Sequence, residues 1–317
     1  MSTHLARPYM GNGGDRGAAA PIISARSLVK TFGKFNALDG LDLTVEAGQI
    51  HGFLGPNGAG KSTTIRAILG QISLTGGELT VFGMDPKRDV VPIHKCLAQV
   101  PGDTVLWGNL TGGECLDILG RFHGSENLQR RAELIEKFNL DPTKKTRAYS
   151  KGNRQKVALI SALALDVDLF IFDEPTSGLD PLMEEVFQDA VRDRQRTGAT
   201  VLLSSHILDE VEALCSHVTI IKEGKTVSTG SMEGLRRSTT TTVVANLNAE
   251  LPGLAEMAGV TDLSQVFHGD VWEVSFKVSR TGLAKAVGVV AAANPISLVV
   301  RPPSLDELFL EHYETGN

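Results

Sequence analysis

Long apolar runs, closely spaced cysteines and a basic surplus are all missing from this chain of 317 residues. No stretch approaches the ~18 apolar residues that cross a bilayer as one helix. The N-terminus carries no apolar core of a signal peptide. The chain is therefore expected in the cytoplasm, and a membrane role needs a partner. Cysteine occurs three times, at Cys96, Cys115 and Cys215, an odd and widely spaced set. That excludes a disulfide framework or a cysteine zinc site as the basis of the fold. Net charge is −6, from 31 Lys and Arg against 37 Asp and Glu. This argues against nucleic acid as a partner. What is present is 42% hydrophobic residues, enough to build the cores of two domains at this length.

Residues 1 to 21 are small and polar without periodicity and read as a disordered tail. Short alternating runs from Pro21 to Ile50 suggest strands of a small mixed sheet. Thr64 to Leu69 reads as a helix, Leu79 to Phe82 as a strand, and residues 110 to 165 carry helical spacing. Leu169 to Phe172 and Val201 to Leu203 are apolar without alternation, the pattern of parallel strands covered on both faces. Composition shifts near Arg236. Beyond it the pattern reads strand (Thr241 to Leu247), helix (Leu254 to Ala258), strand (Leu263 to Phe267), strand (Val271 to Val278), helix (Leu283 to Ala293), strand (Ser297 to Arg301), then a helix from Asp306 to His312. The turn His268-Gly269-Asp270 predicts a hairpin. The βαββαβ order predicts a separate ferredoxin-like α+β domain.

Residues 55 to 63 are Gly55, Pro56, Asn57, Gly58, Ala59, Gly60, Lys61, Ser62 and Thr63. Gly-x-x-x-x-Gly-Lys-Ser, after an apolar run and before a helix, is a complete Walker A pattern. Glycines let backbone N–H groups curl inward onto phosphate oxygens, and the helix start adds its positive end. Lys61 reaches the β- and γ-phosphates, and the Ser62 hydroxyl suits Mg2+. Asp173 and Glu174 follow four apolar residues and precede Pro175. That places two acids at the carboxyl edge of a sheet, Asp173 to hold Mg2+ and Glu174 to deprotonate the attacking water. His206 ends another apolar strand. Alone it reads as structural; beside the Asp173 strand it reaches the γ-phosphate. Ser150, in Ser150-Lys151-Gly152-Asn153-Arg154-Gln155, is either a plain helix cap or the start of a second anion site.

In this order, with the loop Ser177-Gly178-Leu179-Asp180 between Asp173 and His206, the motifs resemble the nucleotide-binding subunit of an ABC transporter. The stretch at Ser150 and the tail Pro303 to Leu310 resemble the daunorubicin-resistance type of drug-exporter ATPase. The resemblance implies a P-loop NTPase of ABC type over 22–237: a mixed-sheet core, a small antiparallel β-subdomain and a helical subdomain. Residues 238–317 would form an accessory dimerisation domain. It also implies ATP and Mg2+ as ligands. Ser150, Gly152 and Gln155 would reach ATP held by a second chain, and Phe32 would stack on adenine unless it is simply a core residue. The partners implied are an integral membrane permease and a second ATPase chain, identical or paralogous. The place implied is the inner face of the cell membrane, and the activity is efflux of a drug, antibiotic or other hydrophobic compound.

One departure stands out. Where the family places a glutamine after the strand ending Val100-Pro101, this chain has Gly102. That motivates an alternative, a subunit that assembles but hydrolyses poorly. Against it, Lys61, Asp173, Glu174 and His206 are intact. A translation or DNA-repair ATPase is the other alternative. It is disfavoured by a single ATPase unit and by the lack of heptad runs and cysteine clusters.

Overall fold

The computed structural model describes residues 20–237 and 240–301. The expected tail over residues 1 to 19 and the expected helix from Asp306 to His312 lie outside them. The chain divides into two compact units between Gly230 and Ser231.

The first unit holds two sheets. Strands β1 (Ile23–Phe32), β2 (Phe35–Val45) and β4 (Gly76–Val81) form a three-stranded sheet in the order β2-β1-β4, antiparallel throughout. The mixed pairing read from the alternation before Ile50 is therefore corrected, and the small antiparallel β-subdomain that the resemblance implied is present. Gly33 and Lys34 alone join β1 to β2, and a two-residue connection permits only antiparallel neighbours. The larger sheet has the order β5-β6-β7-β3-β8-β9, from β5 (Leu97–Val100), β6 (Leu169–Asp173), β7 (Thr200–Ser205), β3 (Ile50–Leu54), β8 (His217–Lys222) and β9 (Lys225–Ser231). From β5 to β8 its pairs are parallel. Strands β8 and β9 had no sequence expectation, and the polar, half-buried β9 carries little apolar signal.

Helix α1 (Lys61–Ile68) follows β3, and α2 (Val90–Lys95) precedes β5. Helices α3 (Gly112–His123), α4 (Leu128–Lys137) and α5 (Lys151–Leu163) form the helical segment, and α6 (Pro181–Arg196) and α7 (Leu208–Leu214) flank β7 in sequence. One apolar cluster joins the two sheets through Leu28, Leu38, Phe53, Ile65 and Ile221. Each such fully buried side chain contributes about 2 kcal/mol. Every residue of β3 is buried, so the strand feeding the glycine loop is fixed on both faces.

The second unit begins with α8 (Met232–Arg237) and continues β10 (Thr241–Leu247), β11 (Val260–Phe267), β12 (Trp272–Val278), α9 (Arg280–Ala292) and β13 (Ser297–Arg301). Its sheet order, β11-β12-β10-β13 and antiparallel, is the strand order of a ferredoxin-like unit. The expected hairpin at His268-Gly269-Asp270 joins β11 to β12. The expected helix from Leu254 to Ala258 is corrected to one 3-10 turn, Pro252–Leu254. Pro252 and Gly253 before it and Gly259 after it leave too few residues to nucleate an α-helix. Leu254 still fills the small core with Val243, Ala245, Phe276 and Val290.

Candidate functional site

Strands β6, β7 and β3 are neighbours, with Asp173 opposite Ser204 and Leu54 opposite Ser205. Parallel pairing brings their carboxyl ends to one edge, where the Walker A loop, the Asp173–Glu174 turn and the His206 turn all begin. Gly60 is the N-cap of α1, with φ 108°, a conformation that favours glycine. It supplies no side-chain cap, so the first N–H groups of α1 are left to an outside acceptor.

Lys61 is 5% exposed, and its ammonium donates to the carbonyls of Gly55 at 2.6 Å and Pro56 at 3.2 Å. It also lies 3.6 Å from Glu174 Oε1. Burial pushes its pKa below the usual lysine value, opposed by Glu174 and Asp173. His206 Nδ1 stands 3.1 Å from the same Glu174 oxygen. Ser62 donates its hydroxyl to Asp173 Oδ2 at 3.0 Å, and Ser204 donates to Oδ1. Glu174 itself adopts φ 47°, the left-handed region. Lys61, Ser62, Asp173, Glu174 and His206 are thus one connected cluster.

A cleft of about 240 Å³ opens beside it, lined by Asn57, Gly58, Gly60, Lys61, Ser62, Thr63, Glu174, Ala37 and Phe35. Phe32 is not in that lining; its ring lies 4.6 Å from the Lys30 ammonium. Phe35, 64% exposed and directly opposite Phe32 across the hairpin, is the aromatic facing the cleft. The resemblance implied Phe32, its direct cross-strand partner, but of the two only Phe35 is in the cleft lining. Ser204 was missed as well, although its place opposite Asp173 follows once the two strands pair in parallel.

The other candidate residues sit at the start of α5. Ser150 is the N-cap, and its hydroxyl accepts from the Asn153 N–H at 3.2 Å. Gly152 is tight against the loop after β6: a Cβ there would stand 2.3 Å from the Gly178 carbonyl oxygen. Lys151 runs along Gly178 and donates to the Ser177 hydroxyl at 2.7 Å. Gln155 does not join this surface. It is 1% exposed, accepts from the Thr104 hydroxyl at 2.8 Å and donates to the Pro175 carbonyl at 2.9 Å. One helical turn beyond the cap, its side chain points into the protein rather than off the helix end. Gly102 lies against Asp173: an added Cβ would be 3.3 Å from the Asp173 carbonyl oxygen.

The donor set fits Mg2+. Ser62 and Asp173 offer hard oxygens side by side. Among the described residues no group of three or more His, Cys, Asp and Glu could hold a metal alone. Mg2+ characteristically takes one or two protein oxygens and completes its shell with phosphate and water.

A family model described as ABC transporter matches residues 38–177. The chain is 32% identical over 298 residues to an uncharacterized ABC transporter ATP-binding protein, YhaQ, of Bacillus subtilis (strain 168), covering 92% of this chain and 98% of that protein. It is also 32% identical to the daunorubicin/doxorubicin resistance ATP-binding protein DrrA of Streptomyces peucetius, with 91% of each chain covered. Among solved structures, an ATP-binding subunit of an ABC transporter superposes with TM-score 0.64 at 29% identity, over 68% of this chain and 92% of that one.

Proposed function

The chain belongs to the ATP-binding proteins of ABC transporters, and from that premise we propose that it powers efflux of a drug, antibiotic or other hydrophobic compound through a separately encoded permease. It is an ATP-hydrolysing enzyme. The reading of the site rests on one observation, the joining of Lys61, Ser62, Asp173, Glu174 and His206 at adjacent strand ends.

In this reading the α1 start and the Walker A loop, Gly55 to Thr63, bind the phosphates, and Lys61 turns its charge from the Gly55 and Pro56 carbonyls to them. Ser62 and Asp173 hold Mg2+, which when bound offsets phosphate charge. Glu174 takes the proton of the attacking water, and His206, beside the same carboxylate oxygen, orients the γ-phosphate. Phe35 offers the face for the base, with Phe32 at the same hairpin.

The drug-resistance relative favours efflux. Among the described residues no helix is long and apolar enough to cross a membrane, and in this reading the permease is a second polypeptide. The protein then works from the inner face of the membrane.

No residue of the α5 start lines the α1 cleft. We assign Ser150 and Gly152 to ATP held by a second chain, in a two-fold arrangement that makes two composite sites at once. The test mixes two variants, Lys61→Ala and Ser150→Arg, each inactive alone. Mixed dimers, isolated through two different affinity tags, have one intact site and one doubly damaged site. Turnover per mixed dimer should return to about half of wild type if the two symmetric sites work independently. Isolated mixed dimers with no turnover would overturn the assignment.

A further inference from the structure

A second polar cluster lies behind Glu174 and His206, fully inside the first unit. The Thr176 hydroxyl donates to Glu210 Oε1, and the Ser205 hydroxyl donates to Glu210 Oε2 at 2.6 Å. The Ile207 N–H in turn donates to the Ser205 oxygen at 2.9 Å. Thr176, Ser205 and Glu210 are all buried, 7%, 1% and 9% exposed. Burying a carboxylate is costly unless each oxygen finds a donor, and here both do.

The cluster joins two turns. Thr176 belongs to the turn after β6, two residues beyond Glu174. Ser205 is the last residue of β7, next to His206 in the turn that follows. Their backbones are also stitched, since the Glu174 N–H donates to the Ser204 carbonyl at 3.0 Å. Glu174 is held in a left-handed conformation that costs a non-glycine residue roughly 1–2 kcal/mol. Such a conformation persists only where its surroundings over-determine it. Two clamps do so: Gln155 on the Pro175 carbonyl from α5, and Glu210 on Thr176 from α7.

We propose that Glu210 is a positioning residue for hydrolysis. By accepting from Thr176 and Ser205 together, its carboxylate keeps the two turns in register so that the Glu174 carboxylate and the His206 ring meet. Glu210 moves no proton and touches no phosphate; it acts through the two turns. The inference rests on the reading that Glu174 and His206 act on the attacking water.

The experiment separates hydrogen bonding from packing at Thr176. Thr176→Val keeps the shape and loses the hydroxyl; Thr176→Ser keeps the hydroxyl and loses a methyl. Turnover number, KM for ATP and affinity for a non-hydrolysable ATP analogue are measured for both. Thr176→Val should lower kcat roughly ten- to hundredfold, the scale of a small misplacement of reacting groups, with analogue affinity and KM within about twofold. Thr176→Ser should keep most of the turnover. Glu210→Gln has one acceptor oxygen where two hydroxyls donate, so it disturbs the link and should lower kcat in the direction of the Val variant, and it reads the same link should Thr176→Val fail to fold. The pair Thr176→Val and Glu210→Gln should be no worse than either alone. If Ser proves worse than Val, or if Val and Gln both turn over like wild type, Glu210 is a packing residue and the proposal falls. Glu174→Gln in parallel tests the underlying reading. Wild-type turnover there would remove Glu174 as the base; an inactive Glu174→Gln beside a fully active Thr176→Val would remove only the role of Glu210.

Discussion

The start of α1 and the start of α5 are both helix N-termini expected to meet phosphate, and they are built in opposite ways. At α1 the N-cap is Gly60, with no side chain to satisfy the first-turn N–H groups. At α5 the N-cap is Ser150, whose hydroxyl already accepts from Asn153. The first end depends on an acceptor from outside; the second is partly satisfied by its own chain. An uncapped helix start next to a buried lysine is suited to tight anion binding, and a capped one to a lighter contact that forms and breaks.

The difference can be broken most severely at the α1 end. Glu174→Gln keeps the shape of the side chain but cannot accept a proton. The expected fall in kcat is about 10²- to 10⁴-fold, with ATP binding retained. Steady-state turnover and equilibrium nucleotide binding on the same preparation check both halves.

Mild acid should strike the same side of the molecule through β3. His51 is buried in that strand, with Nε2 2.8 Å from the Thr219 hydroxyl. Burial, then the nearby His217, lowers its pKa from 6.5 to about 4. Between those values the unfolded chain takes up a proton that the folded chain refuses. Stability is therefore full above pH 6.5 and falls as the pH drops toward 4, by roughly 3 kcal/mol in total. Urea unfolding at a series of pH values measures the slope, and His51→Gln should flatten it.

The smallest effect is expected at α5. Ser150→Ala removes the cap and should cost about 1 kcal/mol of stability. Denaturant midpoints measure it. A change near zero would mean that Ser150 does not cap its helix in solution, and the two ends would no longer differ.

The α1 end was legible in the sequence because its chemistry is written in consecutive residues. Gly55 to Ser62 is contiguous, and Asp173-Glu174 follows an apolar run without alternation, the pattern of a strand covered on both faces. What escaped was whatever depends on register or on distant partners. Phe35 and Phe32 are three residues apart, and nothing in the local sequence shows which of them lines the cleft. Glu210, on a short helix, reads as an ordinary solvent-facing acid until residues 34 and 5 positions away are seen to hold it. Gln155 was included only because the resemblance covered the whole stretch from Ser150, and the resemblance does not show that its side chain is buried. In the second unit, strand alternation located every strand, while the apolar content of Leu254 to Ala258 outweighed the flanking proline and glycines in the reading of a helix.

Gly152 and Gly178 meet with no side chain between them. A contact between side chains can absorb a displacement by changing rotamer. A contact between two main chains has no such play. Movement of the loop after β6 is therefore handed to the first turn of α5 without loss, as across a joint machined to zero clearance. Lys151, laid along Gly178 with its ammonium on Ser177, closes that joint from the side.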